Sequence, residues 1–222
     1  MGTGKRCIEQ VSIIIPVHNR YDYLSLQLHS HLLFTPQEAE IVVVNHPEKK
    51  SWASKINYGV SLAKGEILIF LNDDLVVSPY WLEQFLYDLE FLKNKGIKVG
   101  LLGARSWGLS GIQGHPEYLS RNEYFVSPRI IDGISLIERR AFEEVGGHDE
   151  SGEGNQFRDD DLSLRLWFKG YRNVMGLVYL HHFGGGTLGE KAREDFQVSR
   201  QWFEKKWGKS PEEIYQEIAR SD

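Results

Sequence analysis

The first hundred residues alternate between short continuous apolar runs and longer runs with apolar residues at helical spacing. The continuous runs, typical of strands buried on both faces of a sheet, cover residues 11–17, 41–44, 66–71 and 99–104. Between them the spacing predicts helices over residues 23–33, 52–64 and 79–94. The first has Leu24, Leu28 and Leu32 as its apolar face, and Gly65 closes the second as a left-handed cap. This order predicts an α/β fold with a mainly parallel sheet covered by helices on both faces.

The periodicity disappears over residues 105–128, where glycine and proline recur, so we expect a loop-rich insert there rather than a core element. Beyond it, the pattern predicts strands over residues 130–137 and 174–182 and helices over residues 138–145, 157–169, 190–207 and 211–220. Ser210 followed by Glu213 predicts a capping box at the start of the last helix. No repeat or low-complexity linker divides the chain, so we expect one domain over residues 1–222.

Composition narrows the classes of partner. The 222 residues carry a formal net charge of −5, which gives no general attraction to nucleic acid, and we expect no nucleic-acid partner. Cys7 is the single cysteine, which excludes an internal disulfide framework and a multi-cysteine zinc site. No apolar run reaches the roughly 18 residues of a membrane span, and the first residues lack the apolar region of a signal peptide. We therefore expect a soluble, cytoplasmic protein.

Two adjacent carboxylates, Asp73 and Asp74, follow the apolar run at residues 66–71 and precede the turn residues Ser78 and Pro79. In open α/β sheets, ligands bind beyond the carboxyl ends of the strands. Adjacent carboxylates repel one another, and a cation between them relieves that repulsion. Asn and Asp are also ordinary turn residues. The strand end alone thus leaves a metal site and a plain turn as alternatives.

The order of motifs around these acids resembles the family 2 glycosyltransferases, which have the GT-A fold. The resemblance covers about residues 10–208. Seven segments carry it. They are the opening strand and turn (residues 11–20), the segment before the acids (57–66), a D-x-D-like motif (71–79), the segment before the catalytic acid (133–150), an E-D-x-D-L-x-x-R-like block (158–165), a histidine-glycine loop (182–187) and the closing helix (206–208).

The resemblance implies a metal-dependent, inverting transfer of a sugar from a nucleotide-diphosphate donor. Asp74 and His182 would bind Mn²⁺ or Mg²⁺, although the neighbouring His181 is not separated from His182 by the pattern alone. Asp159 occupies the position of the general base that takes the acceptor proton. The block departs from the family pattern at Arg158, where glutamate is common. Asp161 and Arg165 are four apart and are expected to pair on the helix.

The remaining expected contacts divide between donor and acceptor. Asn45 stands where relatives commonly have an aspartate, and its amide changes the hydrogen bonds offered to the nucleotide base. UDP remains the default donor nucleotide, but this change favours dTDP or GDP. The donor side would comprise Pro16, His18, Asn19, Arg20, Asn45, Lys55, Asn57, Asn72 and Asp73, with Asn57 equally suited to a structural role. The acceptor side would comprise Trp107, Asp132, Gly133, His148 and Asp149.

The resemblance also divides the expected domain. Residues 10–104 would form the nucleotide-sugar-binding half, residues 105–189 the acceptor and catalytic half, and residues 190–222 terminal helices whose apolar stripe at Ile214, Tyr215 and Ile218 packs on the body. The acceptor would be a glycan, a lipid-linked molecule or a protein. The sequence leaves open the oligomeric state and whether the chain works at a membrane surface.

Three alternatives stay open at this point. The GT-A fold also supports retaining transferases with similar metal residues. A nucleotidyltransferase would be expected to have a glycine-rich loop after the first strand, whereas Gly2 and Gly4 precede it here. A non-catalytic binding relative would be expected to lack one or more of Asp74, Asp159 and His182, all of which are present.

Overall fold

The computed structural model describes residues 8, 10–18, 20–49, 51–107, 109, 111–130, 133–152, 154–184 and 192–221. The strands are β1 (Val11–Pro16), β2 (Glu40–Val44), β3 (Ile67–Leu71), β4 (Leu75–Val76), β5 (Val99–Arg105), β6 (Phe125–Val126), β7 (Ile134–Glu138), β8 (Arg172–Tyr179) and β9 (His181–His182). The helices are α1 (Tyr21–Phe34), α2 (Trp52–Leu62), α3 (Trp81–Asn94), α4 (Pro116–Leu119), α5 (Arg139–Glu144), α6 (Arg158–Phe168), α7 (Ala192–Trp207) and α8 (Pro211–Ser221).

Among the described residues, seven strands form one sheet in the order β2-β1-β3-β7-β5-β8-β6. The pairs β1–β2, β1–β3 and β5–β8 are parallel, whereas β7 and β6 are antiparallel to their neighbours. Strands β2, β1, β3, β5 and β8 therefore run in one direction, which confirms the mainly parallel sheet. A separate two-stranded sheet joins β4 to β9. No helix within the described ranges is long and apolar enough to cross a bilayer.

The core lies on both faces of the large sheet, because alternate residues of a strand point to opposite sides. In β1, Ile13 and Ile15 belong to one buried cluster and Ile14 to the other. Helices α1 and α3 cover the first face, and α2, α5 and α6 cover the second. This arrangement places the carboxyl ends of β1, β2 and β3 along one edge, where the candidate site lies.

The predicted apolar face of α1 is wrong at one position. Leu24 and Leu28 pack against the core, but Leu32 is 84% exposed, and Gln27, Ser30 and His31 are buried instead. Two of these buried polar residues, Ser30 and His31, have partners that the periodicity does not reveal. The Ser30 hydroxyl accepts the backbone N–H of Val77 at 3.2 Å, and His31 Nδ1 lies 2.8 Å from Thr35 Oγ1.

The predicted cap at Gly65 is also wrong. Helix α2 ends at Leu62, and its C-cap residue Ala63 has extended rather than left-handed geometry. Gly65 is required by close packing, because a Cβ atom there would lie 2.5 Å from the carbonyl oxygen of Gln10 and 2.7 Å from the backbone nitrogen of Ser12.

Two predicted strands differ from those observed. The strand expected over residues 130–137 begins at Ile134. The strand expected over residues 174–182 is divided, because β8 ends at Tyr179 and His181 and His182 pair with β4 in the second sheet. The division turns the last histidines away from the large sheet and toward the end of β3.

The insert over residues 105–128 is more ordered than expected. It contains α4 and the edge strand β6, and Arg105 is buried. The Arg105 guanidinium donates to the carbonyl oxygens of Gly176, Tyr118, Arg121 and Glu123. One buried cation therefore satisfies the backbone of the insert and fixes it to β8.

Helix α8 packs on the body as expected. Ile214 and Ile218 are buried against Leu164 and Phe203. The capping box is confirmed, because the backbone nitrogen of Ser210 donates to Glu213 Oε2 at 2.8 Å and the backbone nitrogen of Glu213 donates to Ser210 Oγ at 3.3 Å.

Candidate active site

Asp73 lies at the carboxyl edge of the sheet beside the turn that follows β1. Its Oδ2 accepts the backbone N–H of His18 at 2.5 Å. The nearby Lys55 is buried, and its Nζ donates to the carbonyl oxygen of Val17 at 2.6 Å. Burial lowers the pKa of Lys55, while the charge of Asp73 opposes that shift. Burial also lowers the pKa of His18, and Lys55 lowers it further. A carboxylate, an ammonium group and a histidine thus meet at one strand end.

Asp74 faces His182 across the short β4–β9 ladder. His182 Nε2 lies 3.0 Å from Asp74 Oδ1. The backbone is fixed on both sides of this contact, because the His182 nitrogen donates to Ser106 Oγ at 3.1 Å and the Phe183 nitrogen donates to the Asp74 carbonyl oxygen at 3.0 Å. His181 points away and is exposed. Of the two histidines, His182 is the one directed at the carboxylate.

These two side chains fit a hard divalent cation. Asp74 Oδ1 and His182 Nε2 lie 3.0 Å apart, so one cation could contact both. Within the described ranges, no group of three or more histidine, cysteine or acidic side chains is placed to hold a metal. A site with two protein ligands suits Mg²⁺ or Mn²⁺, since substrate phosphates and water commonly complete the shell of such ions.

Asn72 and Gly133 brace the strand end. The Asn72 backbone nitrogen donates to the Gly133 carbonyl oxygen at 2.8 Å, and its Oδ1 accepts from Trp52 Nε1 at 3.0 Å. A Cβ atom on Gly133 would lie 2.4 Å from Asn72 Oδ1, so only glycine fits there. Trp52, the first residue of α2, was missed by the sequence reasoning because nothing in its local pattern distinguishes it from a core residue.

Asn57 and His148 join α2 to the loop before α6, which is the structural role that the sequence left open for Asn57. Asn57 Oδ1 accepts the His148 backbone N–H at 2.9 Å, and its Nδ2 donates to the His148 carbonyl oxygen at 2.8 Å. The His148 side chain is 3% exposed and packs edge-on against Trp52 and Phe142. Both residues hold the loop before α6 onto α2.

The other expected contact residues lie in varied positions. Pro16 ends β1 and is buried, whereas Asn45 is exposed directly after β2. Trp107 is 58% exposed just beyond β5, and its backbone nitrogen lies 3.5 Å from the hydroxyl of Tyr179. Asn19 and Asp132 lie outside the described residues.

Asp159 begins helix α6 with a partly accessible carboxylate. Its side chain is 18% exposed, and its Oδ2 lies 3.7 Å from Arg129 Nη2. Arg129 Nε also lies 3.0 Å from Asp160 Oδ1, which accepts from the Tyr215 hydroxyl at 2.5 Å. Burial and the charge of Asp159 raise the pKa of Asp160. Burial opposes the charged form of Arg129, but Asp159 and Asp160 raise its pKa overall.

Asp161 is buried among donors. The expected pair with Arg165 is confirmed at 2.8 Å, and Lys206 Nζ and Trp207 Nε1 lie 2.7 Å and 3.0 Å from Asp161 Oδ1. Lys206 also binds Asp149 at 2.5 Å. Burial opposes ionisation of Asp149, but the hydrogen bonds from Lys206 and Ser151 and the charge of Lys206 together outweigh it and lower the pKa of Asp149. Asp149 is thus paired with Lys206 in the structure.

Arg158, the residue at which the block departs from the family pattern, binds the loop before α6. Its guanidinium donates to the carbonyl oxygens of Asp149, Gly152 and Gly154 at 2.8, 2.6 and 3.1 Å and lies 3.8 Å from the centre of the Trp202 ring. The cation next to Asp159 is Arg129. Sequence reasoning missed Arg129, because a single arginine in a loop 30 residues away carries no local signal.

The loop before α6 connects the two groups of acids. Asn155 Oδ1 accepts the backbone N–H of Trp52 at 2.9 Å, and the Asn155 nitrogen donates to Asp195 Oδ1 at 3.1 Å. Trp52 in turn holds Asn72. A continuous set of hydrogen bonds therefore runs from the end of β3 through α2 to the loop that leads into Asp159.

Two solved structures share the fold of this chain. The mannosyltransferase PcManGT from Pyrobaculum calidifontis, in complex with GDP-Man and Mn²⁺, is similar with a TM-score of 0.62 and 16% identity over 93% of this chain and 67% of that chain. GalNAc-T7 with UDP, GalNAc and Mn²⁺ is similar with a TM-score of 0.59 and 17% identity over 78% of this chain and 43% of that chain. The fold is that of the GT-A glycosyltransferases, as expected.

The sequence comparison is more specific. Residues 37–146 match the model for glycosyl transferase family 2. A Rickettsia typhi protein called uncharacterized glycosyltransferase RT0329 is 29% identical over 78% of this chain and 61% of its own length. The O-antigen biosynthesis protein RfbC of Myxococcus xanthus is 29% identical over 74% of this chain and 16% of its own length. The chain spans 61% or less of the curated relatives it matches.

Proposed function

We propose that this chain transfers a sugar from a nucleotide-diphosphate donor to an acceptor hydroxyl in a metal-dependent reaction with inversion at the anomeric carbon. The observation that carries the proposal is the 3.0 Å contact between Asp74 and His182, beside Asp73 at the carboxyl edge of the sheet. A separate carboxylate, Asp159, is available as a base. The match of residues 37–146 to the glycosyl transferase family 2 model supports the reaction class.

Asp74 and His182 would hold Mn²⁺ or Mg²⁺. Such an ion supplies Lewis-acid stabilisation of the negative charge that grows on the diphosphate. Asp73 would contact the ribose, with Lys55 and His18 lining the same edge. UDP is the default donor nucleotide, with dTDP and GDP as the other options. The titles of the two similar structures name GDP-Man for one and UDP for the other, so they do not favour one base.

Asp159 would remove the proton from the acceptor hydroxyl as that oxygen attacks the anomeric carbon. Its 18% side-chain exposure gives a substrate access to the carboxylate. Arg129 Nη2 lies 3.7 Å from this carboxylate and helps to fix its position. Asp160 and Asp161 are less suited, because both are nearly inaccessible. Direct attack assisted by one base inverts the configuration.

The acceptor would be a glycan, a lipid-linked molecule or a protein, and it would approach past Trp107. The exposed indole and the neighbouring Tyr179 provide aromatic surface on which an apolar sugar face can pack. Residues 1–222 would act as one domain, with donor binding by residues 10–104, the acceptor and base in residues 105–189, and terminal helices over residues 190–222. We further propose a cytoplasmic location, without a nucleic-acid partner.

Calorimetric titration with UDP, GDP and dTDP, each with and without Mn²⁺, tests the donor site. At least one nucleotide should bind the wild type more tightly with Mn²⁺ than without it. Asp74→Asn should remove that difference, while Glu90→Gln, a change at an exposed acid on α3, should keep it. If no nucleotide binds, or if Asp74→Asn retains the Mn²⁺ dependence, the proposed metal site is wrong.

The stereochemical part has its own test. With a donor that is turned over, NMR of the first product should show the anomeric configuration opposite to that of the donor. Retention in the first product would contradict the base role of Asp159 and favour a retaining mechanism on the same fold.

A further inference from the structure

Four side chains form a continuous stack beside the metal residues. The Arg20 guanidinium lies 3.8 Å from the centre of the Tyr23 ring. Tyr23 stacks on Phe183 with ring centres 4.6 Å apart and an angle of 19° between the planes. His181 meets Phe183 edge-on at 4.8 Å. We call Arg20, Tyr23, Phe183 and His181 the aromatic stack.

One end of the aromatic stack adjoins the proposed metal ligands. Strands β4 and β9 pair through two residue pairs, Leu75 with His182 and Val76 with His181. Two-stranded ladders are marginal even when longer than this, so the pair needs other anchors. Ser106 holds His182 through its backbone nitrogen, and the aromatic stack holds the two residues on either side of His182.

The other end adjoins the turn after β1. Arg20 lies two residues beyond His18, whose backbone nitrogen donates to Asp73. Arg20 Nε lies 3.5 Å from Asp22 Oδ1, and the two terminal nitrogens of a guanidinium held over an aromatic ring can still donate to an anion. The orientation of Arg20 toward a diphosphate therefore depends on the position of the Tyr23 ring.

The aromatic stack is not part of the hydrophobic core. Neither Tyr23 nor Phe183 belongs to the buried clusters or to the residues packed against them. Phe183 is 38% exposed. Loss of one ring should therefore cost little folding stability, which separates a positioning role from a purely structural one.

We propose that Tyr23 is a positioning residue that couples the donor loop to the metal site. Through Phe183 it holds the segment that carries His182, and through its other face it orients Arg20 for the diphosphate. Metal affinity and nucleotide affinity should then depend on the same ring. This inference rests on the proposed function, because it assigns Tyr23 to the metal and donor sites described above.

The test measures Mn²⁺ binding by electron paramagnetic resonance of the free ion, with UDP, GDP or dTDP present at saturation. Tyr23→Ala should weaken Mn²⁺ binding by about 3- to 10-fold, the range expected for loss of one aromatic pair. Tyr23→Phe keeps the ring and should bind like the wild type. Tyr21→Ala is the matched control, since Tyr21 lies in the same helical turn and is 56% exposed.

The outcomes separate this inference from the proposed function. A wild type that binds no Mn²⁺ with any of the three nucleotides would overturn both. A wild type that binds Mn²⁺ while Tyr23→Ala binds it equally well would overturn only the role of Tyr23. If thermal melting shows that Tyr23→Ala is poorly folded, Phe183→Leu replaces it, because leucine keeps apolar volume without a ring to stack. Unchanged binding in that variant would also refute the coupling.

Discussion

Two runs of consecutive carboxylates in this molecule have different surroundings. Asp73 and Asp74 follow β3, where they meet the backbone nitrogen of His18, the ring of His182 and the charge of the nearby Lys55. Asp159, Asp160 and Asp161 begin α6 and are surrounded by more donors, namely Arg129, Arg165, Lys206, Trp207 and Tyr215.

The difference shows that adjacent acids in a sequence do not share one role. On α6 the protein's own cations and hydroxyl contact the buried Asp160 and Asp161, which leaves Asp159 as the accessible carboxylate of its run. At the end of β3 the internal donors are fewer, which supports the proposal that this pair binds an external cation. Charge compensation, rather than the number of acids, separates the proposed metal site from the start of α6.

The largest effect is expected at Asp74. Asp74→Asn removes a charged ligand from the cation that would stabilise the leaving diphosphate, so the transfer rate should fall by about 10³-fold. Initial rates with saturating donor and Mn²⁺ measure this loss, and a melting curve checks that the fold is intact. A variant within a few-fold of the wild type would remove the contrast between the two acidic runs.

Asp159→Asn should lower the transfer rate by about 10²- to 10⁴-fold, because an amide cannot accept the acceptor proton. Mn²⁺-dependent nucleotide binding should stay unchanged, since Asp159 is not a proposed metal ligand. Rates and calorimetry on the same preparation separate these effects. Loss of nucleotide binding would assign Asp159 to the donor site instead.

Asp161→Asn should act on stability rather than on chemistry. It leaves Arg165 and Lys206 without their buried carboxylate partner, and breaking such a pair costs about 3 kcal/mol of unfolding free energy. Urea denaturation measures the change, with Asp22→Asn at the exposed start of α1 as a surface control. A stable but inactive Asp161→Asn variant would mean that the base is assigned to the wrong acid.

Unlike the two acidic runs, His31 on α1 is a buried titratable group whose pKa is shifted by burial and not by a charged neighbour. Burial lowers its pKa from 6.5 to about 4. The folded state thus binds fewer protons than the unfolded state between these values, so stability falls as pH falls through that window. The loss between pH 7 and pH 5 should be about 2 kcal/mol. His31→Gln should flatten this part of the stability profile, and an unchanged profile would assign it to other groups.

Much of the sheet edge at which the donor is proposed to bind could be predicted from the local sequence pattern. Continuous apolar runs mark buried strands, and the acids directly after β3 lie at the sheet edge for that reason alone. The capping box at Ser210 and the pair of Asp161 with Arg165 follow from spacing along one helix. In each case the interacting groups are close in sequence.

The surroundings of Asp159 could not be predicted in this way. Arg129 and Tyr215 reach α6 from distant parts of the chain, and Tyr215 is 55 positions beyond Asp160. The buried polar face of α1 depends on Ser30 meeting Val77, 47 residues away. The separation of β9 from β8 likewise requires β4 as a partner. These contacts are decided by tertiary packing, which single-sequence periodicity does not contain.

The most direct test of metal-dependent glycosyl transfer is a hydrolysis screen of UDP-, GDP- and dTDP-sugars with Mn²⁺. We predict that the wild type hydrolyses at least one donor slowly, that EDTA stops the reaction, and that Asp74→Asn is inactive with the same donor. Absence of turnover with every donor, or turnover that persists in EDTA and in Asp74→Asn, would contradict the account.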